Sequence, residues 1–229
     1  MANKVPRKTA EEAGSGSRLS DLAYTRILEI LFDRRLPAGS FVSQAELVAL
    51  TGVPVGPLRD ALRVLEAEGV LTIHPRTGIQ FVKPGLELTR SSFQFRGIIE
   101  SAAVAIFADI AAEAEIADLA QSHLGLIAQI EEAGLSEPLI AQIEGLEQVL
   151  HGTVVASLNN PLVDAAYRRI HNYLRLVRMD RRMTKPLALR TLQEHLQIIE
   201  ACRRRDPAGA VTALQAHFTA ALQRNLRLY

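Results

Sequence analysis

The sequence predicts a mainly α chain in two parts, a small head over residues 18–84 and an all-helical body over residues 85–229. Three observations carry this. Between Phe41 and Lys83 the pattern runs helix, tight turn, helix and two-stranded hairpin. Pro84-Gly85 then interrupts the chain. From Glu87 onward no strand signal appears, and helix breaks are easy to place.

Residues 1–17 are polar and Gly/Ser-rich and read as a disordered arm. Leu19–Arg35 follows as an amphipathic helix, with Ser20 as a cap and Leu22, Ile27, Ile30 and Leu31 available to a core. Leu36-Pro37-Ala38-Gly39 turns the chain. Ser43-Gln44-Ala45-Glu46 has the form of a capping box, in which Ser and Glu side chains satisfy each other's orphan N–H groups. Leu47, Val48 and Leu50 give that helix one apolar face. Thr51-Gly52-Val53-Pro54 stops it, because Gly allows a left-handed cap and Pro cannot continue a helix.

A second helix begins near Pro57, carries the stripe Leu58, Ala61, Leu62 and Leu65, and ends at Gly69. Leu71-Thr72-Ile73 and Ile79-Gln80-Phe81-Val82 read as strands. The loop His74-Pro75-Arg76-Thr77-Gly78 joins them with Arg76 at its tip. Helix, turn, helix and hairpin in that order make a winged helix-turn-helix.

In the body, helices are expected over Glu87–Ala114, Glu115–Glu132, Glu137 to near Asn159, Leu162 to about Met183 and Pro186–Arg205. Asp206-Pro207 caps a last one that runs nearly to the C-terminus. Six helices with short connections imply an antiparallel bundle.

Composition narrows the class. With 229 residues, 48% of them hydrophobic, the chain is long enough for one large or two modest domains. A single cysteine, Cys202, excludes an internal disulfide framework and suits a reducing cytoplasm. The N-terminus lacks the apolar core of a signal peptide, and no run reaches membrane-spanning length, so no membrane partner is expected. Net charge is +1; residues 1–83 hold 11 basic against 9 acidic side chains, an asymmetry of the right sign for DNA binding but too small to decide it.

Two constellations carry chemistry. In a helix-turn-helix, the start of the second helix meets base edges while wing and helix cations hold phosphates. Those positions offer Val55, Gly56, Arg59 and Arg63, with Arg76, Thr77 and Gly78 in the wing, and Gln44 at the start of the preceding helix is a further DNA-binding candidate. The plainer alternative makes Arg59 and Arg63 a solvated face with Asp60 and Glu66; the hairpin with a basic tip favours DNA.

The second constellation is histidine. His151, His195 and His217 lie on the apolar stripes of three different helices, and Glu147 sits one turn before His151. One buried His is most often a satisfied core residue. Three with a carboxylate make a ready-made divalent metal site, provided the helices converge, which spacing does not settle.

With these residues in view, the chain resembles the GntR family of bacterial transcription regulators, in the branch with an all-helical FCD effector domain named for the fatty-acid regulator FadR. The resemblance covers about residues 19–226. It rests on Leu36-Pro37-Ala38-Gly39, the capping-box helix, the run Pro57 to Gly69 and Arg76-Thr77-Gly78 in the head. In the body it rests on Leu150-His151, Asn160-Pro161-Leu162, Glu194-His195 and Ala216-His217-Phe218.

The resemblance implies a homodimer that binds double-stranded, pseudo-palindromic operator DNA. It implies a metal, most often zinc and sometimes nickel or manganese, held by Glu147, His151, His195 and His217. It also implies a small carboxylate effector received there, with Arg96 as its guanidinium partner. This sequence departs from the family pattern twice. Pro54-Val55-Gly56 stands where Ser-Arg-Thr is common, so the usual base-reading Arg is Val55. Glu147 stands where Asp is usual.

Two other functions compete with regulation. One is a metal-dependent hydrolytic enzyme with Glu147 as general base, which gains nothing from the winged motif and has no H-E-x-x-H. The other is an interaction protein that kept the fold without specific DNA binding, motivated by Val55.

Overall fold

The computed structural model describes the backbone of residues 10–179 and 182–226, and side chains within 18–178 and 182–226. It divides into two compact units at Pro84/Gly85.

In the first unit, α1 (Ala10–Phe32) precedes β1 (Phe41–Val42), α2 (Gln44–Thr51), α3 (Val55–Ala67), β2 (Leu71–His74) and β3 (Gly78–Phe81). The expected disordered arm is therefore corrected in part. Helix α1 already begins at Ala10: Ala10, Glu11, Glu12 and Ala13 are strong helix formers, and propagation from the turns that follow carries the helix across the unfavourable Gly14 and Gly16. The rest of the arm lies outside the described residues.

The buried stripe of α1 is Ala23, Ile27, Ile30 and Leu31; Leu22 is exposed, one position off the face. Helix α2 starts with the expected box: Ser43 Oγ accepts from Glu46 N–H, and Glu46 Oε2 accepts from Ser43 N–H at 2.6 Å. Gly52 ends it at φ 66°, and Arg26 Nη1 donates to the neighbouring Thr51 carbonyl at 2.5 Å. Leu47 is buried, whereas Val48 and Leu50 are only half-buried.

Helix α3 starts at Val55, two residues before the expected Pro57, and buries Leu58, Ala61, Leu62 and Leu65 as expected. Glu66 ties it to the wing by accepting from Ile73 N–H at 2.7 Å. The hairpin expected from sequence is a three-stranded sheet in the order β1-β3-β2, with Phe41 opposite Gln80 and Leu71 opposite Phe81. Strand β1 escaped the sequence pattern because two residues show no alternation.

The second unit contains α4 (Leu86–Ile110), α5 (Glu113–Ala133), α6 (Glu137–Ala156), α7 (Pro161–Met179), α8 (Lys185–Arg203) and α9 (Pro207–Leu226). All six expected helices are present. The end expected near Met183 for the fourth is reached by Met179, and residues 180–181 are outside the described set. Helix α4 packs against α6, α7, α8 and α9, and α8 also meets α5 and α6. Phe93, Val104, Phe107, Leu150, Val154, Ile198, Leu214 and Phe218 join in one core. A smaller cluster holds Leu126, Ile130, Ile143 and Leu192. No helix among the described residues is long and apolar enough to cross a membrane.

Candidate functional site

The three histidines singled out from spacing do converge. His151 (α6), His195 (α8) and His217 (α9) are all buried, and their ligand atoms lie within 4.8 Å of one another. The His195 and His217 ring centroids are 4.7 Å apart, and His151 and His217 stack at 5.5 Å. Each sits on the face that its helix presents to the core, which is why sequence periodicity found them.

The hydrogen bonds of these rings all fall on one side. His151 Nδ1 lies 2.6 Å from Glu100 Oε2, His217 Nδ1 lies 2.8 Å from Glu194 Oε2, and His195 Nδ1 lies 3.1 Å from His123 Nε2. The Nε2 atom of each of the three is buried without a hydrogen-bond partner. A buried polar atom left unpaired costs free energy of the order of 1–3 kcal/mol. Three such atoms facing one another are therefore a cup awaiting an electrophile. Three imidazole nitrogen donors brought together in this way fit a divalent transition metal. The partners on Nδ1 fix ring orientation, as the outer shell of a metal site does.

Electrostatics keep the rings neutral where the shift is clear. Burial, then the charge of Arg96, pushes His151 well below the ordinary imidazole range; burial and then His217 do the same to His195. Burial raises the Glu194 carboxyl, but hydrogen bonds from Arg224 and His217 outweigh it and hold it at about 2. Arg224 grips both Glu194 oxygens, at 2.7 and 2.8 Å. Burial pushes the Glu100 carboxyl up, opposed by Arg96, whose Nε lies 2.5 Å from Oε1.

The fourth expected ligand, Glu147, is not among the residues whose ligand atoms lie within 4.8 Å of one another. The Glu147 carboxylate is bound by Arg178 of α7 and lies 3.6 Å from Arg96 Nη1. Burial would raise it, yet Arg178 and Arg96 hold it well below the ordinary range. Two guanidinium groups compete for this carboxylate. His171 of α7, half-buried with its Nε2 also buried and unpaired, is not part of the cluster.

Arg96, expected to meet an effector, is 2% exposed and stacks over Phe218 at 4.5 Å. It is committed to Glu100 through Nε, but its Nη1 is buried and makes no hydrogen bond. Arg178 is a second guanidinium of the same neighbourhood that sequence reasoning did not single out; so are Glu100, Glu194 and His123. Glu100 had a local signal in its i,i+4 spacing from Arg96, and Glu194 one in its adjacency to His195.

In the first unit, Val55, Gly56, Arg59, Arg63, Arg76 and Thr77 are exposed, as a nucleic-acid surface requires. Arg63 sits 3.7 Å from Asp60 with both side chains largely solvated. Gln44 is half-buried, and its Oε1 accepts from Arg59 Nε at 3.4 Å. Arg76 holds φ 67° at the wing tip. Gly78 has a structural duty: at φ 147°, an added Cβ would come within 2.7 Å of the Val42 carbonyl oxygen and against the Phe41 ring.

The comparisons with known proteins agree with this geometry. The family described as bacterial regulatory proteins, gntR family, matches residues 19–81, and the FCD domain matches residues 91–220. The chain is 23% identical over 195 residues to the uncharacterized HTH-type transcriptional regulator YdhC of Bacillus subtilis, covering 85% of each chain. Among solved structures it superposes on E. coli McbR/YncC with a TM-score of 0.74 at 15% identity, covering 91% of this chain and 97% of that one. It superposes equally well, with a TM-score of 0.74 at 18% identity, on a transcriptional regulator GntR from Rhodococcus sp. RHA1, covering 93% and 99%. A winged head that matches one family and a helical body that matches the other leave the hydrolytic enzyme without support, and the chain belongs to the GntR family of transcription regulators, in the branch that carries an FCD domain.

Proposed function

We propose that this regulator binds operator DNA as a homodimer and responds to a small organic acid received at a metal site in the helical unit. The observation that carries the reading is the trio of unpaired Nε2 atoms on His151, His195 and His217. Zinc suits three imidazoles with an open position best, and nickel or manganese are compatible with the same donors. When bound, the metal supplies a Lewis-acidic centre for a carboxylate oxygen.

The chain's own residues supply the rest. Arg96 offers an Nη1 that makes no hydrogen bond, and Arg178 becomes available when Glu147 turns away from it. A planar guanidinium suits a carboxylate better than an ammonium does. Glu147 then has two states, paired with Arg178 or facing the histidines, and this pairing is the element that an effector biases. Dimerisation is supported by an exposed apolar face on α4, where Ile98 is 66% and Ile110 65% exposed and Ile106 lies between them. DNA contact falls to Gln44, Val55, Gly56, Arg59 and Arg63 with the wing residues Arg76, Thr77 and Gly78.

The test is direct. Operator fragments are selected from a random duplex library, and affinity is measured with zinc, with chelator and with a panel of di- and hydroxycarboxylic acids. A change of affinity with metal or acid is expected. Indifference to both removes the sensing reading; failure to select any sequence favours the interaction-protein alternative instead.

A further inference from the structure

We propose that His123, on α5, is a positioning residue for the metal cup. It fixes His195 in the tautomer whose Nε2 lone pair faces His151 and His217.

The argument is one of hydrogen-bond direction. His123 Nδ1 lies 2.7 Å from the Leu119 carbonyl oxygen, one helical turn back. A carbonyl oxygen only accepts, so Nδ1 of His123 carries the proton and its Nε2 holds a lone pair. That lone pair lies 3.1 Å from His195 Nδ1. A lone pair only accepts, so His195 donates from Nδ1, and its Nε2 is left bare in the cup. The backbone of α5 thus dictates, through two rings, which nitrogen of a residue 72 positions away is free. Both rings are fully buried, at 0% exposure, and no water competes for either bond.

The three rings are therefore not backed alike. His151 and His217 donate to Glu100 and Glu194, whereas His195 donates to a neutral imidazole. Among the three, His195 is the one whose orientation depends on a neighbour that itself has two tautomers. A histidine buried merely for packing would be replaceable by an apolar group of similar size. A positioning residue would need a donor and an acceptor at once. Glutamine has both; leucine has neither.

The inference rests on the metal reading above, and the experiment separates the two. Zinc affinity is measured by competition with a chromogenic chelator for the wild-type protein, His123→Leu and His123→Gln. The His195 tautomer is read in the metal-free wild type from long-range nitrogen–proton couplings. The expected result is a proton on His195 Nδ1, about 10–100-fold weaker zinc binding in His123→Leu, the range typical of losing an outer-shell partner, and recovery of most of that loss in His123→Gln.

A proton on His195 Nε2 overturns the proposal without any variant, even if His123→Leu does not fold. So does wild-type zinc affinity in a folded His123→Leu, or a Gln variant as weak as the Leu one. A wild-type chain that binds no zinc, nickel or manganese overturns the metal reading instead, whereas the His195 tautomer, read without metal, tests the proposal independently.

Discussion

Arg96 and Glu100, one turn apart on α4, form a fully buried ion pair with Nε 2.5 Å from Oε1, and the other Glu100 oxygen takes His151 Nδ1. The pair thus connects a guanidinium to the orientation of a candidate ligand. Removing one member of a buried pair strands the other charge, which typically costs about 3–5 kcal/mol. Arg96→Ala is expected to lose stability of that order in urea unfolding, whereas Arg96→Lys, which keeps the charge, is expected to lose less. Acid binding is expected to fall in both.

Metal occupancy separates the histidines from Glu147. His217→Ala removes a donor from the cup and is expected to weaken zinc binding by more than the 10–100-fold typical of an outer-shell partner. Glu147→Gln is expected to leave zinc affinity within that outer-shell range, because its carboxylate is held by Arg178 outside the cup. Competition titrations of the two variants check this. Equal losses would place Glu147 among the ligands after all.

Val55 is 43% exposed on the first turn of α3. Val55→Arg is expected to add a guanidinium there and increase discrimination for a guanine by about 1–3 kcal/mol. Arg59→Ala is expected to weaken all sequences and lower the salt slope of binding by about 1 if it holds a phosphate. Anisotropy titrations across a salt series distinguish the two effects.

Burial pushes the Cys202 thiol up to about 11 from 9.0. In the unfolded chain the thiol loses its proton first, so between about pH 9 and 11 the unfolded state holds fewer protons and stability falls as pH rises. Cys202→Ala is expected to flatten that part of the stability curve. Native protein is expected to resist alkylation at pH 8, since the residue is 1% exposed.

The capping box of α2 gives a local check. Ser43→Ala is expected to cost about 0.5–2 kcal/mol in equilibrium unfolding. A null effect would mean that solvent serves Glu46 N–H equally well.

Much of this was legible in the sequence where a single helix face or turn decides. The stripe of α3, the box at Ser43 and Glu46, the break at Gly52 and the six body helices all follow from local pattern. The histidine trio was legible as faces, but its convergence is a property of how α6, α8 and α9 pack, which spacing does not contain. His123 is hidden for a related reason: with no acidic residue one turn away, nothing local points to a partner 72 positions distant. The ligand role that the resemblance implies for Glu147 is not decided locally either: its pairing with Arg178, 31 residues later, leaves no mark in the sequence around it.

The six ionic groups around the cup cancel one another: Arg96 with Glu100, Arg178 with Glu147, Arg224 with Glu194. A dication bound among the three rings would enter an interior whose charges are already paired, and as long as Glu147 stays with Arg178 its two positive charges would find no free counter-ion. An organic dianion is the natural complement. Occupancy by cation and by acid should then reinforce each other by the same factor in either order, so that acid retention reports metal supply as faithfully as metal retention reports acid.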